Sequence, residues 1–394
     1  MNRQSRALRL ARKRRGWSQR ELADFAGVSL STVERAERGE AIRIDSIQRL
    51  CRCLEASPEA LGLLGLPAEE GSGRALAKDL RELMAPAGQE LPPLAQLCAQ
   101  DLLAAYQRGI RALQDLYFGG APAQVEALLP LYREQIMLLA QSPTLSQAGA
   151  AALAAQAQLL TCELATDRED FGQAARAGKR ALELARRAGD RNLAIAAWIG
   201  LANLHFHQRQ SAAALACYQQ AVAHFTPAVT PLLKGRTYAG LAEVSAMRQA
   251  RQEALRAREL AYEHYPQRPE EDPAYSYQRS SRYSLYVFGD AQTQLFLGQP
   301  KAAEKALQAL EGETSDPEQE PITRVDLLYY YAQVRLQQGS MEEAGSVVAE
   351  AVQLARRLGS RLYFNKLAEV YERLRERWPH ERQIGALEDL FAPW

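Results

Sequence analysis

Apolar side chains return every three or four residues along almost the whole chain, and each restart of that pattern marks a helix. In residues 1 to 66 the segments are short. Leu8 and Ala11 give the first an apolar side, and Gly16-Trp17 ends it. "SQRELADFA" opens with Ser18 as N-cap and Glu21 three residues later, a capping box. Leu22, Ala23 and Phe25/Ala26 are expected to face inward along this second helix. Gly27 supplies a tight turn, since it reaches positive φ without Cβ strain. Ser29 then caps a helix whose Val33 and Ala36 face the core until Gly39 stops it. "IDSIQRLCRCL" is expected to bury Ile44, Ile47, Leu50 and Leu54. "SPEALGLL" opens a fifth helix with proline in its first turn. The third helix turns Leu30, Ser31, Thr32 and Arg35 outward, a small tip of mixed polarity.

The pattern breaks at "LPAEEGSGRA", residues 66 to 75, which reads as a domain boundary. A short linker helix over 75 to 84 and a second break ending at Pro93 complete a linker over 67–93. From 94 to 394 the chain is helix after helix, and it repeats. Bulky Trp198 is followed by Leu201-Ala202, Ala214, Tyr218, Ala221 and Pro227. The same template finds Tyr238, Leu241-Ala242, Ala254, Ala261 and Pro266, then Ala291, Ala303 and Leu307, then Ala332, Ala344, Val348 and Ala351. One step earlier, Ala174 and Ala181 fit, with Cys162 in a small-residue slot. Repeats start near 155, 195, 235, 284 and 325. The long step contains "YPQRPEEDPAYSYQ", a loop that interrupts the array. Residues 94 to 146 are expected to hold one or two degenerate repeats, and 361–391 a C-terminal cap.

Small residues where paired helices cross closely, with large ones between, make this array similar to tetratricopeptide (TPR) repeats. Stacked pairs of that kind curve, and their first helices line a concave groove. The ninth position of each repeat gives Glu163, Asn203, Glu243, Gln292 and Gln333, continued by Glu369 in the cap. All are carboxylates or amides, and amides can pair with both donors and acceptors of an extended peptide. Neighbouring positions add Arg236, Phe206, Phe288, Leu295, Tyr329, Tyr330 and Lys366. A peptide groove and an ordinary solvated helix face are both open readings of this row.

Composition adds one asymmetry. Residues 1 to 66 carry 13 Lys/Arg against 8 Asp/Glu, and Arg3 to Arg20 hold eight basic residues and no acid. A basic front on a mildly acidic body suggests an anionic partner for the first domain. No apolar run approaches the ~18 residues of a membrane helix, so a cytoplasmic protein without membrane contact is expected. Five cysteines in no framework spacing fit a reducing compartment. Cys51 and Cys53 lack a second ligand pair, so no metal is expected. No P-loop, Rossmann glycine set or HExxH is present, and neither catalysis nor a cofactor is expected.

Two short helices joined by a glycine turn behind a basic helix form a helix-turn-helix. "LRLARKRRGWSQRELADFAGVSLSTVERAERGE" resembles the Cro/C1 (XRE-type) DNA-binding domain over residues 5 to 64. That resemblance implies a second motif helix, Ser29 to Arg38, lying in the major groove of double-stranded DNA. Ser29, Leu30, Ser31, Thr32 and Arg35 are then the implied base-side contacts, with Gln19, Arg38 and Arg43 on phosphates. It also implies an ion pair between Arg12 and Glu37. Such domains bind as dimers on paired half-sites, so a homodimer is expected.

The whole chain is therefore expected to be all-α: a five-helix DNA-binding domain followed by a right-handed TPR-like α-solenoid. That architecture resembles the RRNPP-type regulators, cytoplasmic receptors for short signalling peptides. The resemblance implies a groove lined by Asn203, Phe206, Arg236, Glu243, Gln292, Tyr330, Gln333 and Lys366 and a peptide that alters DNA binding. Two alternatives stay open: a repeat domain that docks a partner protein, and a TPR scaffold whose helix-turn-helix is an interaction module.

Overall fold

The computed structural model describes residues 5–15, 17–38, 40, 42, 44–54, 61, 93–141, 147–313 and 320–392. The helix stops at Gly16 and Gly39, Arg43, the fifth helix from Ser57 and the linker with its short helix lie outside those residues. The chain divides into two compact units, Met1–Ala85 and Pro86–Trp394. Among the described residues every regular element is helical, and no helix is long and apolar enough to cross a membrane.

The first unit contains α1 (Ser5–Arg14), α2 (Gln19–Ala26), α3 (Leu30–Arg38) and α4 (Ile44–Leu54). Leu8, Leu22, Ala23, Ala26, Val33, Ala36, Leu50, Leu54 and Leu61 form its core. The capping box is in place: Ser18 Oγ accepts from the Glu21 amide, and Glu21 accepts from the Ser18 amide. Gly27 sits at φ 63°, the left-handed region a side chain would strain. Phe25 departs from expectation, being 63% exposed. At 100° per residue it lies about 60° beyond Leu22 on the side away from Ala23 and Ala26, at the edge of the buried face of α2, so it stays outside and packs its ring on Trp17 at 4.8 Å.

The second unit is built from helix pairs. These are α5 (Pro93–Phe118) with α6 (Pro122–Gln141), α7 (Gln147–Asp167) with α8 (Phe171–Ala188), and α9 (Arg191–His207) with α10 (Ser211–Ala223). Next come α11 (Pro231–Met247) with α12 (Arg251–His264), and α13 with α14 (Pro300–Glu313). Here α13 runs through three segments, Arg282–Ser284, a π-helical Leu285–Gln292, and Thr293–Phe296. The last pair is α15 (Pro321–Gln338) with α16 (Met341–Leu358), followed by α17 (Arg361–Arg377) and the short α18 (Arg382–Gly385).

Small residues let these layers interlock. A Cβ on Gly240 would lie 2.1 Å from the Tyr218 ring, and one on Gly178 2.6 Å from Leu201. Tyr218 can therefore cross from α10 onto α11, fully buried. The array also meets itself. Arg168, just past α7, donates to the carbonyls of Leu358 and Gly359, and Ser360 Oγ donates to Asp167. Asn365 bonds Glu169, and Arg209 pairs with Glu369. The expected open groove is thus closed by α17 lying against α7.

Candidate functional site

In the first unit, α3 is aimed by polar contacts around the turn. Ser29 Oγ accepts from the Thr32 amide at 3.2 Å and lies 2.9 Å and 2.8 Å from the Ser31 and Thr32 hydroxyls. Arg49 donates to the Gly27 carbonyl at 2.8 Å and pins the turn to α4. Arg12 forks onto Glu37, Nε to Oε1 at 2.6 Å and Nη2 to Oε2 at 3.1 Å, and also donates to the Trp17 carbonyl. This is the ion pair the sequence implied, and it ties α1 to the end of α3.

The exposed side of α3 carries Leu30 (37% exposed), Ser31, Arg35 and Arg38, with Thr32 half-buried at its edge. Apolar, hydroxyl and guanidinium groups on one helix face can meet thymine methyls, mixed edges and guanine acceptors respectively. Two features were not read from the sequence. Gln19 donates to Glu37 at 2.7 Å, so its amide is engaged inside the unit. Glu40 accepts from both Arg35 (3.3 Å) and Arg38 (2.7 Å). A carboxylate two residues beyond Arg38, in a turn full of arginines, was the available signal for it.

The second unit holds a partly open chamber of about 200 Å³. Its lining comes mainly from the first helix of each pair, as the repeat register requires: Glu163 and Asp167 from α7, Asn203, Phe206 and His207 from α9, and Arg236 and Glu243 from α11. Phe288 and Gln292 enter from α13, where the π-helical turn shifts their register, Asp326 and Tyr330 from α15, and Tyr363 from α17. The interrupting loop, expected only to break the array, folds into two 3₁₀ turns (Pro269–Glu271, Pro273–Ser276) and lines the chamber from Tyr275 to Ser281.

Six of the eight groove residues expected from sequence meet here: Asn203, Phe206, Arg236, Glu243, Gln292 and Tyr330. Gln333 does not line the chamber. Its amide donates to Tyr329 and accepts from Arg373 of α17, the helix that closes the array. Lys366 stands behind the lining, its Nζ over the rings of Tyr329 and Tyr363 at 4.7 and 4.9 Å. Asp326, His207, Tyr283 and Arg279 were missed. Asp326 had a signal: it lies seven residues before Gln333, as Arg236 lies seven before Glu243, two helical turns along one face.

The polar groups are tightly ordered. Asn203 Oδ1 accepts from Tyr218 (2.8 Å) and from Arg236 Nη2 (3.0 Å), and Arg236 lies 4.8 Å over the Phe288 ring. Tyr330 donates to Gln292 Oε1, and Tyr283 to Asp326 Oδ2 at 2.7 Å. Because both amide oxygens are used internally, Asn203 and Gln292 present donors to an occupant. Arg279 bridges Asp115 and Glu320 and covers Phe118 at 5.1 Å.

Burial controls the ionisation here. Glu163 keeps its surface open to the chamber, yet the dense protein around it pushes its carboxyl up to about 7, with Asp167 adding repulsion and Arg279 and Arg236 opposing. Glu243 likewise rises to about 7 by burial against the pull of Arg236. Asp167 rises to about 6, held back by Ser360 and Arg168. Burial, with help from Lys366 and Arg236, keeps the His207 imidazole well below its usual range and so neutral. The Cys162 thiol, pushed up to about 12 by burial, is inert.

Among known proteins, the family described as Helix-turn-helix matches residues 8–61. No curated protein matches the chain. Among solved structures, one titled "Structure of phAimR-Ligand" aligns over 94% of this chain and 87% of that chain, at 10% identity and a TM-score of 0.47.

Proposed function

We propose that this protein is a sequence-specific DNA-binding transcriptional regulator, acting as a homodimer, whose repeat unit senses a short peptide. The observation that carries the DNA reading is α3 itself: a capped, pinned helix with Leu30, Ser31, Arg35 and Arg38 outward and Val33 and Ala36 buried, inside a matched helix-turn-helix segment. Arg35 is the base-reading residue and Arg38 a phosphate contact, whereas Gln19, whose amide already donates to Glu37, would reach a phosphate only with its remaining N–H. Two copies are required because one such helix reads only a half-site.

The peptide reading is supported by the chamber's chemistry. Unlike a flat docking face, it is concave, aromatic in part, and lined by amide donors and a buried guanidinium suited to main-chain carbonyls. A concave volume of this size favours a small occupant over a folded partner protein. The occupant would bias the DNA-reading state by its differential affinity for two conformations of the repeat unit, and by no more than that.

The test is selection of bound fragments from the host genome, followed by fluorescence anisotropy with Arg35→Ala. The variant should lose roughly 1–3 kcal/mol of discrimination at one base position per half-site. Salt-dependent binding without sequence preference, unchanged by Arg35→Ala, would overturn the regulator reading. Light scattering of the full chain on DNA, with one copy per operator, would overturn the dimer.

A further inference from the structure

The chamber's charges do not balance. Five carboxylates line it (Glu163, Asp167, Glu243, Glu320 and Asp326) against the guanidinium groups of Arg236 and Arg279. Two of the five are ion-paired, Asp167 with Arg168 at 3.1 Å and Glu320 with Arg279. The other three feel cations only through their field, Glu243 that of Arg236 and Lys366, Glu163 that of Arg279 and Arg236, and Asp326 that of Lys366 and Arg236. Glu163 has no ion pair or hydrogen bond among the described residues. Asp326 is only 4% exposed; Tyr283 donates to its Oδ2 and the Tyr363 hydroxyl also bears on it, yet its Oδ1 has no hydrogen bond of good geometry. The nearest cation to Asp326, Lys366, is parked over two tyrosine rings and is also without a partner. A buried carboxylate oxygen left in this state is costly unless something with protons to give reaches it.

Both carboxylates bear on one place. Glu163 and Asp167 of α7 and Asp326 of α15 line the same chamber as the buried Tyr117, and all three raise its hydroxyl well above the ordinary value after burial itself. An independent observation points to the other end of an occupant. Arg236 is 3% exposed and fixed by Asn203 and Phe288, and its Nη1 has no partner. That nitrogen needs an acceptor, as do the amide donors of Asn203 and Gln292.

From these residues we infer that the chamber takes a ligand with a cationic group, an ammonium or guanidinium, seated between Glu163 and Asp326 beside Tyr117. The same ligand offers carbonyl oxygens to Arg236, Asn203 and Gln292. A short basic peptide meets both demands. A free polyamine meets only the first, since it has no acceptor for Arg236. The inference rests on the peptide reading above and narrows it to basic sequences. Aromatic rings already carry cations in this chamber, Arg236 on Phe288 and Arg279 on Phe118, so a further cation among Tyr117, Tyr283 and Tyr363 suits the same surroundings.

The ligand's charge also sets a pH dependence. Glu163 faces Asp167, Glu320, Arg279 and Arg236, and Asp326 faces Lys366, Arg236, Tyr283 and Tyr363. Both carboxyls are held above the ordinary range, Asp326 by burial and Glu163, which is open to the chamber, at about 7 by the surrounding protein and the charge of Asp167. A cation needs them ionised, so binding strengthens from pH 5.5 to 7.5 and releases protons.

The experiment is equilibrium dialysis of the full-length protein against a fully randomised hexapeptide pool, with spermidine run separately and retained species read by mass spectrometry. Retained peptides should be enriched about tenfold in Lys or Arg over the pool, the worth of one charge-assisted contact. Glu163→Gln with Asp326→Asn should abolish the enrichment while the melting temperature stays at or above wild type, and Glu163→Gln alone should weaken it. Retention of neutral or acidic peptides would overturn the cationic site and leave the peptide reading standing. Retention of spermidine without any peptide would uphold the cationic site and overturn the peptide reading. Basic peptides held equally well by the double variant, or nothing held at all, would overturn the inference.

Discussion

Glu243→Gln should stabilise the protein at high pH and leave it nearly unchanged at low pH. Glu243 is 2% exposed, and its one hydrogen bond is a 3.4 Å contact from Tyr218. Burial lifts its carboxyl from 4.5 to about 7 even though Arg236 pulls the other way. Each unit is worth about 1.4 kcal/mol, so ionising Glu243 costs the folded state about 3 kcal/mol at pH 8. The folded value lies above the unfolded one, so the proton's stabilising contribution is complete below about 4.5 and is lost as pH rises through about 7. Glutamine keeps the shape and cannot ionise. At roughly 2 °C per kcal/mol for a unit of this size, the variant should melt about 6 °C above wild type at pH 8 and within about 1 °C of it at pH 4.5. Scanning calorimetry of the full chain at the two pH values reads both gaps. The rival outcome is that Arg236, deprived of its anion, destabilises the variant by the several kcal/mol typical of broken buried pairs. The raised carboxyl already includes the attraction of Arg236, so that outcome is not expected. A variant melting below wild type at pH 8, or a gap that does not change with pH, would refute the reasoning.

Glu40→Gln removes the carboxylate that engages Arg35 and Arg38, and DNA affinity at low salt should rise roughly two- to fivefold; an unchanged or weaker anisotropy titration would count against it. Arg12→Ala leaves the nearly buried Glu37 without its guanidinium, which should cost the helix-turn-helix unit roughly 3 kcal/mol. Amide exchange across α1 and α3 reads that loss, and protection equal to wild type would disprove it. Gly240→Ala puts a methyl about 2 Å from the buried Tyr218 ring, and the overpacking should cost about 1–3 kcal/mol. Because Tyr218 also bonds Asn203, the same variant should weaken chamber ligands, and a melting temperature within 1 °C of wild type would reject the close approach.

How far the sequence could be read depended on whether a feature was local or came from distant parts of the chain. The capping box at Ser18, the turn at Gly27 and the cap at Ser29 are fixed by residues within four positions of each other, and each was readable. The Arg12–Glu37 pair was legible through resemblance. Phe25 was misplaced because an aromatic at that spacing was grouped with Ala26, although 100° of rotation separates them. In the repeats, the ninth-position column found Asn203, Glu243 and Gln292 because register repeats. It failed at Gln333, where α17 folds against the last pair and takes the amide for Arg373. Asp326 went unread because the column of Arg236, seven residues before the ninth position, was sampled in one repeat and not carried on to the others. The loop at 265–281 carries no repeat register, so nothing in its pattern showed that it would turn Tyr275, Tyr277 and Arg279 into the chamber.

On the proposed reading, the closure of the array decides what kind of sensor the chamber would be. The contacts that shut it are of two sorts. Arg209–Glu369 joins two well-exposed side chains, and such pairs are worth about 0–1 kcal/mol. Arg168 on the Leu358 and Gly359 carbonyls and Ser360 on the buried Asp167 are stronger, being charge-assisted and partly dry. Together they hold the ends by a few kcal/mol, within reach of a ligand, since about 5.5 kcal/mol of differential affinity inverts a 1:99 equilibrium. A much tighter seam would exclude ligand, and a much looser one would not report its presence. Asp167 belongs to both systems, lining the chamber and bonding Ser360 of the closing helix. On the inference above, a cation drawn beside it would compete for the charge that anchors the seam, which would link occupancy and closure through one carboxylate with no longer path.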